Sequence, residues 1–235
     1  MAMRILSFIA FCFFILSCSS SADSWLEEAK NRLKKGESVS AKEAIKKALE
    51  ANPGLAEAYN LQGVIAFQEK NWTDARSNYL KAIELKPSLY TAQLNLGALE
   101  MEQGLWKEAL APTEKAVQLQ PDSSAGYLQR GIIQAALRNP QAALQDFGQC
   151  LSKNPTEINA LYNRGNIYFQ QEKFEMANQD FEASVKIDPN FGKAFYAMGL
   201  SYFKVGQQEK ACFALQQAKK LKYPGAKEAV ANLCP

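Results

Sequence analysis

A period of 34 residues runs through almost the whole chain. Glycines fall at Gly63, Gly97, Gly131, Gly165 and Gly199, and prolines at Pro53, Pro87, Pro121, Pro155 and Pro189. Alanines fall at Ala41, Ala75, Ala109, Ala143, Ala177 and Ala211 with the same step. A fourth column of small residues reads Ala48, Ala82, Ala116, Cys150, Ser184 and Ala218. A repeat of this length is one supersecondary unit, which cannot bury its apolar face alone and becomes stable by stacking on copies of itself. The physical roles are readable. The glycine sits mid-way along a first helix and the alanine on a second, and the lack of bulk at both lets the two helices pack antiparallel. The proline closes the second helix, because it cannot donate to the helical ladder. Large apolar side chains fill the spaces between, with Tyr79, Phe147 and Phe181 in one column and Phe67, Met101, Phe169 and Phe203 in another. The expected fold is therefore all-α, a solenoid of six helix–turn–helix repeats.

These columns resemble the tetratricopeptide repeat family over residues 22–225, as 22–55, 56–89, 90–123, 124–157, 158–191 and 192–225. The first copy has Ala29 where the glycine belongs but keeps Trp25 in the family's aromatic slot, with Ala41, Ala48 and Pro53. In the last copy Tyr223 takes the proline slot and Pro224 follows it. Residues 226–235 then form a cap, in which Ala226 to Leu233 is a short helix closing the apolar edge of the stack. The resemblance implies a binding scaffold whose partner is a protein or an extended peptide.

Composition removes other classes. The 235 residues are 47% hydrophobic and 22% charged, which suits a soluble folded protein. A net charge of +3 without a run of one sign gives no footprint for nucleic acid. There is no histidine, no cysteine pair at metal-site spacing, no phosphate-cradling glycine loop and no Gly-x-Ser-x-Gly elbow. No catalytic residue, metal, cofactor or small-molecule substrate is expected, and the chain does not read as an enzyme.

The N-terminus is separate from the repeats. Arg4 precedes the apolar Ile5–Leu16, whose twelve residues make a helix of roughly 18 Å, short of the ~30 Å hydrocarbon core of a bilayer. Length and flanks suit a secretory signal peptide over residues 1–17. Ile15–Leu16–Ser17–Cys18 resembles the lipobox of bacterial lipoproteins, in which the cysteine is acylated and becomes the new N-terminus; Leu16 is bulkier than usual there. The alternatives are an ordinary signal peptide with an incidental cysteine, or an uncleaved anchor. The lipobox resemblance implies lipidation at Cys18, a linker over residues 18–21, and membrane attachment through that lipid only. Ser19 points by analogy to the outer membrane, facing the periplasm. This layout looks like the pilotins of type IV pili, which implies a part in assembling an envelope complex. The competing expectation is an accessory subunit that modulates a periplasmic enzyme such as a cell-wall synthase or protease.

By helical periodicity, positions 2, 5, 6, 9 and 13 of each repeat share the first-helix face expected to line a concave groove. The candidate groove residues are Leu94, Asn95, Leu128, Gln129, Ile132, Tyr162, Asn163, Asn166 and Tyr196. The amides Asn95, Gln129 and Asn163 recur once per repeat, each with a donor and an acceptor for the backbone of an extended peptide. Leu128 and Ile132 read as an apolar floor, Tyr162, Asn166, Gln170 and Tyr196 as a tyrosine-and-amide wall; burial between neighbouring repeats is the alternative. The two-repeat carboxylate clamp of the family's chaperone-binding branch is only partly echoed, by Asn163 and Lys193, since Asn60 and Leu94 stand where basic residues belong.

Arg130 and Arg164 precede their glycines and are read as long side chains reaching an acidic neighbour such as Asp146 or Asp180, with an anion contact as the alternative. Asn139–Pro140 reads as an N-cap with proline at the first helical position. Pro112, inside a second helix, should kink it. Cys150 reads as a small core residue, while Cys212 and Cys234 are either a disulfide stapling the cap or two free thiols. Asn71–Trp72–Thr73 matches a glycosylation acceptor, a motif of weak specificity.

Overall fold

Sixteen residues beyond Gly63, Gly131, Gly165 and Gly199 stands a large side chain, and the two positions are made for each other; beyond Gly97 stands the smaller, fully buried Thr113. A Cβ on Gly63 would stand 2.4 Å from a ring carbon of Tyr79; on Gly131 or Gly165, 2.7 Å from Phe147 or Phe181; on Gly199, 2.7 Å from Leu215. The glycine is therefore a seat for a ring or a leucine from the second helix. The alanine column is fully buried beside it, with Ala41, Ala75, Ala109, Ala143, Ala177 and Ala211 all at 0% exposure. Close-packed interiors leave no room for a methyl group at either place.

The computed structural model describes residues 21–234, all-α with no strand among them. The segment Ile5–Leu16 and Cys18 lie outside the described residues, and no helix of the described residues is long and apolar enough to cross a membrane. Helix α1 includes residues 21–34. It is followed by α2 (Ser38–Ala51), α3 (Ala56–Gln68), α4 (Trp72–Leu85), α5 (Tyr90–Glu102) and α6 (Trp106–Leu119). Then come α7 (Ser124–Ala136), α8 (Pro140–Lys153), α9 (Ile158–Gln170), α10 (Phe174–Ile187), α11 (Gly192–Lys204), α12 (Gln208–Lys220) and α13 (Ala226–Leu233). Odd-numbered helices through α11 are the first helices of the repeats, and even-numbered ones the second.

The proline column acts one residue ahead of itself. C-caps Asn52, Lys86, Asn154 and Asp188 have φ between −143° and −124° and ψ between 84° and 99°. A following proline drives its predecessor out of the helical region in this way. A further column appears where first helices end. Gly36, Lys70, Gly104, Arg138, Glu172 and Gly206 all have φ between 59° and 77°, at one position of all six repeats. Each closes its helix with a left-handed residue. At Arg138 its own N–H bonds to Ala135 O, and the N–H of Asn139 reaches back to Gln134 O.

The chain divides into two compact units, one ending at Leu119 and the other beginning at Gln120. In the first, Leu26, Ala29, Ile45 and Ile65 form one apolar cluster and Ala75, Tyr79, Leu96 and Leu99 another. Trp25 packs on the former with the Lys47 ammonium 4.2 Å above its ring centroid. In the second unit Phe147, Cys150, Ala160 and Ile167 form one cluster, and Phe181, Phe195, Met198, Tyr202 and Ala226 another. Within each unit antiparallel helical hairpins stack as in an α-solenoid.

Three expectations are refined. Helix α6 runs from Trp106 to Leu119 with Pro112 inside it. The carbonyl that loses its donor is that of Glu108, an exposed residue, so water can serve it. Asn139 does occupy the N-cap of α8 ahead of Pro140, but its side chain makes no capping bond and donates instead to Gln134 Oε1 at 3.1 Å. Phe203, expected to fill space between helices, is 38% exposed. At the C-terminal end α13 packs on α12, buries Ala226 and Ala229, and is tied to it by a disulfide between Cys212 and Cys234 with Cα atoms 5.5 Å apart.

Candidate functional site

In the second unit the first helices α7, α9 and α11 carry seven of the candidate groove residues. Leu128, Gln129 and Ile132 on α7, Tyr162, Asn163 and Asn166 on α9, and Tyr196 on α11 are all half-buried. Leu128 and Ile132 pack against the Phe147 cluster, and Tyr162 and Tyr196 against the Phe181 cluster. The supposed apolar floor is thus in part the flank of the core. Tyr162 meets Phe191 edge-on at 5.4 Å, and Tyr196 lies 5.2 Å from Tyr223. Lys193, one of the two clamp-like residues, places its ammonium 4.6 Å from the Tyr162 centroid and 4.8 Å from that of Phe191. Its charge is engaged with aromatic faces.

In the first unit Leu94 and Asn95 stand half-buried on α5. There the amide ladder is already used within the protein: Asn95 Nδ2 donates to Asn60 Oδ1 at 3.0 Å, and Asn60 Nδ2 to Thr91 Oγ1 at 3.5 Å. Asn60 is only 7% exposed, so its amide needs these partners.

The arginines before the glycines are also committed. Arg130 binds Asp146 through Nε and an Nη at 2.9 and 2.7 Å, and Arg164 binds Asp180 likewise at 2.8 and 2.7 Å. Each is a two-pronged pair inside one hairpin, with the aspartate buried. The pairing with Asp180 holds the Arg164 guanidinium above its ordinary pKa. Asn71 of the glycosylation-like motif is a working N-cap, its Oδ1 accepting from Asp74 N at 3.3 Å.

Against this background one cleft differs. A cavity of about 490 Å³ in the second unit is lined by Ala135, Arg138, Pro140, Asn163, Asn166, Ile167 and Gln170. Asn163, Asn166 and Gln170 are spaced i, i+3, i+7 and so share one face of α9, over roughly 10 Å of helix. Arg138 reaches the cleft from the left-handed turn between α7 and α8. No side-chain hydrogen bond or ion pair within the described residues engages these three amides or the Arg138 guanidinium. Arg138 is the only ionisable residue among the lining ones. Asn163 and Asn166 were legible from helical periodicity; Arg138 was not singled out, although glycines at 36, 104 and 206 mark its column.

A second cavity, about 360 Å³, opens on α10, α11 and α12 and is mainly apolar, with Val185, Phe195, Met198, Tyr202 and Phe213 in its wall. Phe213 is 58% exposed.

Family models described as tetratricopeptide repeat match residues 26–90, 71–124, 158–191 and 193–226. Among solved structures, PilF of Pseudomonas aeruginosa is similar with a TM-score of 0.83 at 21% identity, over 92% of this chain and 99% of that one. YrrB, described as a TPR protein with an unusual peptide-binding site, gives 0.68 at 26% identity over 80% and 98%. A MamA structure gives 0.66 at 23% over 74% and 96%. None of the curated proteins matches the sequence. With helical hairpins in register with a 34-residue period, glycine seats filled from the partner helix, and family matches along the repeats, the chain belongs to the tetratricopeptide repeat family, whose fold serves as a scaffold for protein–protein interaction.

Proposed function

We propose that this chain binds a protein or an extended peptide along the first-helix face of its second unit, and does so at a membrane during assembly of an envelope complex. The observation that carries the binding reading is the cleft on α9. Among the polar side chains of the first helices, Arg130, Arg164 and Asn95 are matched to Asp146, Asp180 and Asn60. At Asn163, Asn166 and Gln170 three adjacent amides face a cavity with donors and acceptors unspent. Such groups are served by water in the free protein and by a peptide backbone in a complex. The likeness to YrrB, described as having a peptide-binding site, supports the same reading.

Support for the envelope part of the proposal is the lipobox-like Ile15–Leu16–Ser17–Cys18. In this reading Cys18 is acylated and the repeats face the periplasm from the outer membrane. Two experiments test it. A photo-crosslinking residue at Gln170 in intact cells should capture a discrete partner, and Asn163→Ala with Asn166→Ala should abolish that capture while far-UV circular dichroism stays unchanged. Undiminished capture by the double variant would place the binding face elsewhere. Cys18→Ala should lose acyl labelling; a wild-type labelling pattern would remove the lipid anchor. Crosslinking to a component of a ring or filament favours assembly, and crosslinking to a soluble enzyme favours an accessory role.

A further inference from the structure

The cleft on α9 has a chemical bias beyond its capacity for peptide backbone. Its single ionisable group is the Arg138 guanidinium, and no carboxylate lines the cavity. A guanidinium is a planar fork of donors that matches a carboxylate in two parallel hydrogen bonds, as Arg130 and Arg164 show within this protein. Those two arginines have a buried aspartate sixteen residues on; Arg138 has none and is exposed. Its backbone setting is costly. Three of the six residues in its column are glycine, the residue that adopts φ near 60–80° without strain. An arginine there places a cation at the mouth of an amide-lined cavity, where its charge lacks an internal partner.

We propose that Arg138 selects ligands by pairing with an aspartate or glutamate side chain within the extended segment held by Asn163, Asn166 and Gln170. This rests on the groove reading given above. An internal acidic side chain is favoured over a chain terminus because the amides continue along α9 for about two helical turns, which suits a strand passing through.

Random dodecapeptides displayed on phage through their C-terminal ends, so that no terminal carboxylate is free, test this with the full chain as bait. Wild-type selections should enrich Asp or Glu at one aligned position. The best synthetic peptide, with its C-terminus amidated, should bind Arg138→Gly about ten- to a hundredfold more weakly, the worth of a charge-assisted hydrogen bond. Glycine suits the left-handed backbone at 138, so the loss cannot come from unfolding. Selections on Arg138→Glu should enrich Lys or Arg at the same position instead. Binders that need Asn163 and Asn166 but show no acidic position, or that bind Arg138→Gly equally well, overturn the proposal and leave the groove reading standing. Acidic selection that appears only in a library with free C-termini overturns it in favour of a terminal carboxylate. Binders indifferent to Asn163→Ala/Asn166→Ala, or no binders at all, defeat the groove reading and this proposal together.

Discussion

Substituting alanine for glycine at two helical positions of one hairpin should move stability in opposite directions. A Cβ on Gly131 would stand 2.7 and 2.8 Å from Cε1 and Cδ1 of Phe147, whose ring is 0% exposed. Unstrained carbon contacts lie near 3.5–4.0 Å, so the ring would have to retreat by about 1 Å into packed surroundings. Overpacking of this kind costs roughly 1–3 kcal/mol. Against it stands a gain of about 1 kcal/mol for replacing glycine by alanine within a helix. The clash wins, with a net loss of about 1 kcal/mol. Gly148, inside α8 of the same hairpin, has no heavy atom within 4 Å of the new methyl group, so only the gain of about 0.5–1 kcal/mol applies. For a chain of this size 1 kcal/mol corresponds to about 2–4 °C in melting temperature. Thermal and urea unfolding should therefore place Gly131→Ala below wild type and Gly148→Ala above it. Phe147→Leu should cost less in the Gly131→Ala background than alone, because the smaller side chain relieves the clash. If Gly131→Ala melts at or above Gly148→Ala, the glycine column is not a seat for the facing ring and the packing argument is wrong.

Three further outcomes follow from buried polar and titratable groups. Asp146→Ala leaves the Arg130 guanidinium, a quarter exposed, without its carboxylate and should cost about 3 kcal/mol in urea unfolding; a loss below about 0.5 kcal/mol would show that the pair contributes little. Burial pushes the Cys150 thiol up to about 11, so iodoacetamide at pH 8 should leave it unlabelled in the native protein and modify it in urea, as read by peptide mapping. Native labelling would contradict its place in the core. Burial also raises the Glu100 carboxyl above 4.5, outweighing the Arg76 guanidinium that touches it. A folded-state pKa above the unfolded one means that the protonated form favours folding, and this contribution fades as pH rises from about 4.5 through the raised value. Glu100→Gln should accordingly match wild type near pH 4 and exceed it at pH 7; an unchanged pH profile would refute the burial argument.

The fold was legible because its determinants are periodic. Small side chains at fixed spacing admit one solution, the packed hairpin, and proline placement closes each copy. Non-periodic determinants were harder to see. Asn95 and Asn60 hydrogen-bond at a separation of 35 residues, one more than the repeat. That contact depends on how neighbouring hairpins are rotated, a quantity absent from a helical wheel. Leu128 and Ile132 pack against a cluster drawn from both α8 and α9, which a helical wheel of α7 alone does not show. The Cys212–Cys234 bond was left open at the sequence level because it depends on a Cα separation, 5.5 Å in the structure. Arg138 stands in a column whose backbone demand is visible only where glycine meets it, at Gly36, Gly104 and Gly206. Pro112 is tolerated because the carbonyl it frees belongs to an exposed residue, which the helical pattern hints at but does not state.

That the unspent amides of α9 are where a partner docks is tested most directly by side-chain amide resonances. An isotope-labelled chain would be titrated with the peptide selected by phage display. The signals of Asn163, Asn166 and Gln170 should shift together, while those of Asn178, buried in α10, and Asn60, hydrogen-bonded to Asn95, stay in place. Three unmoved amides, with the shifts gathered instead around Met198 and Phe213, would contradict the account.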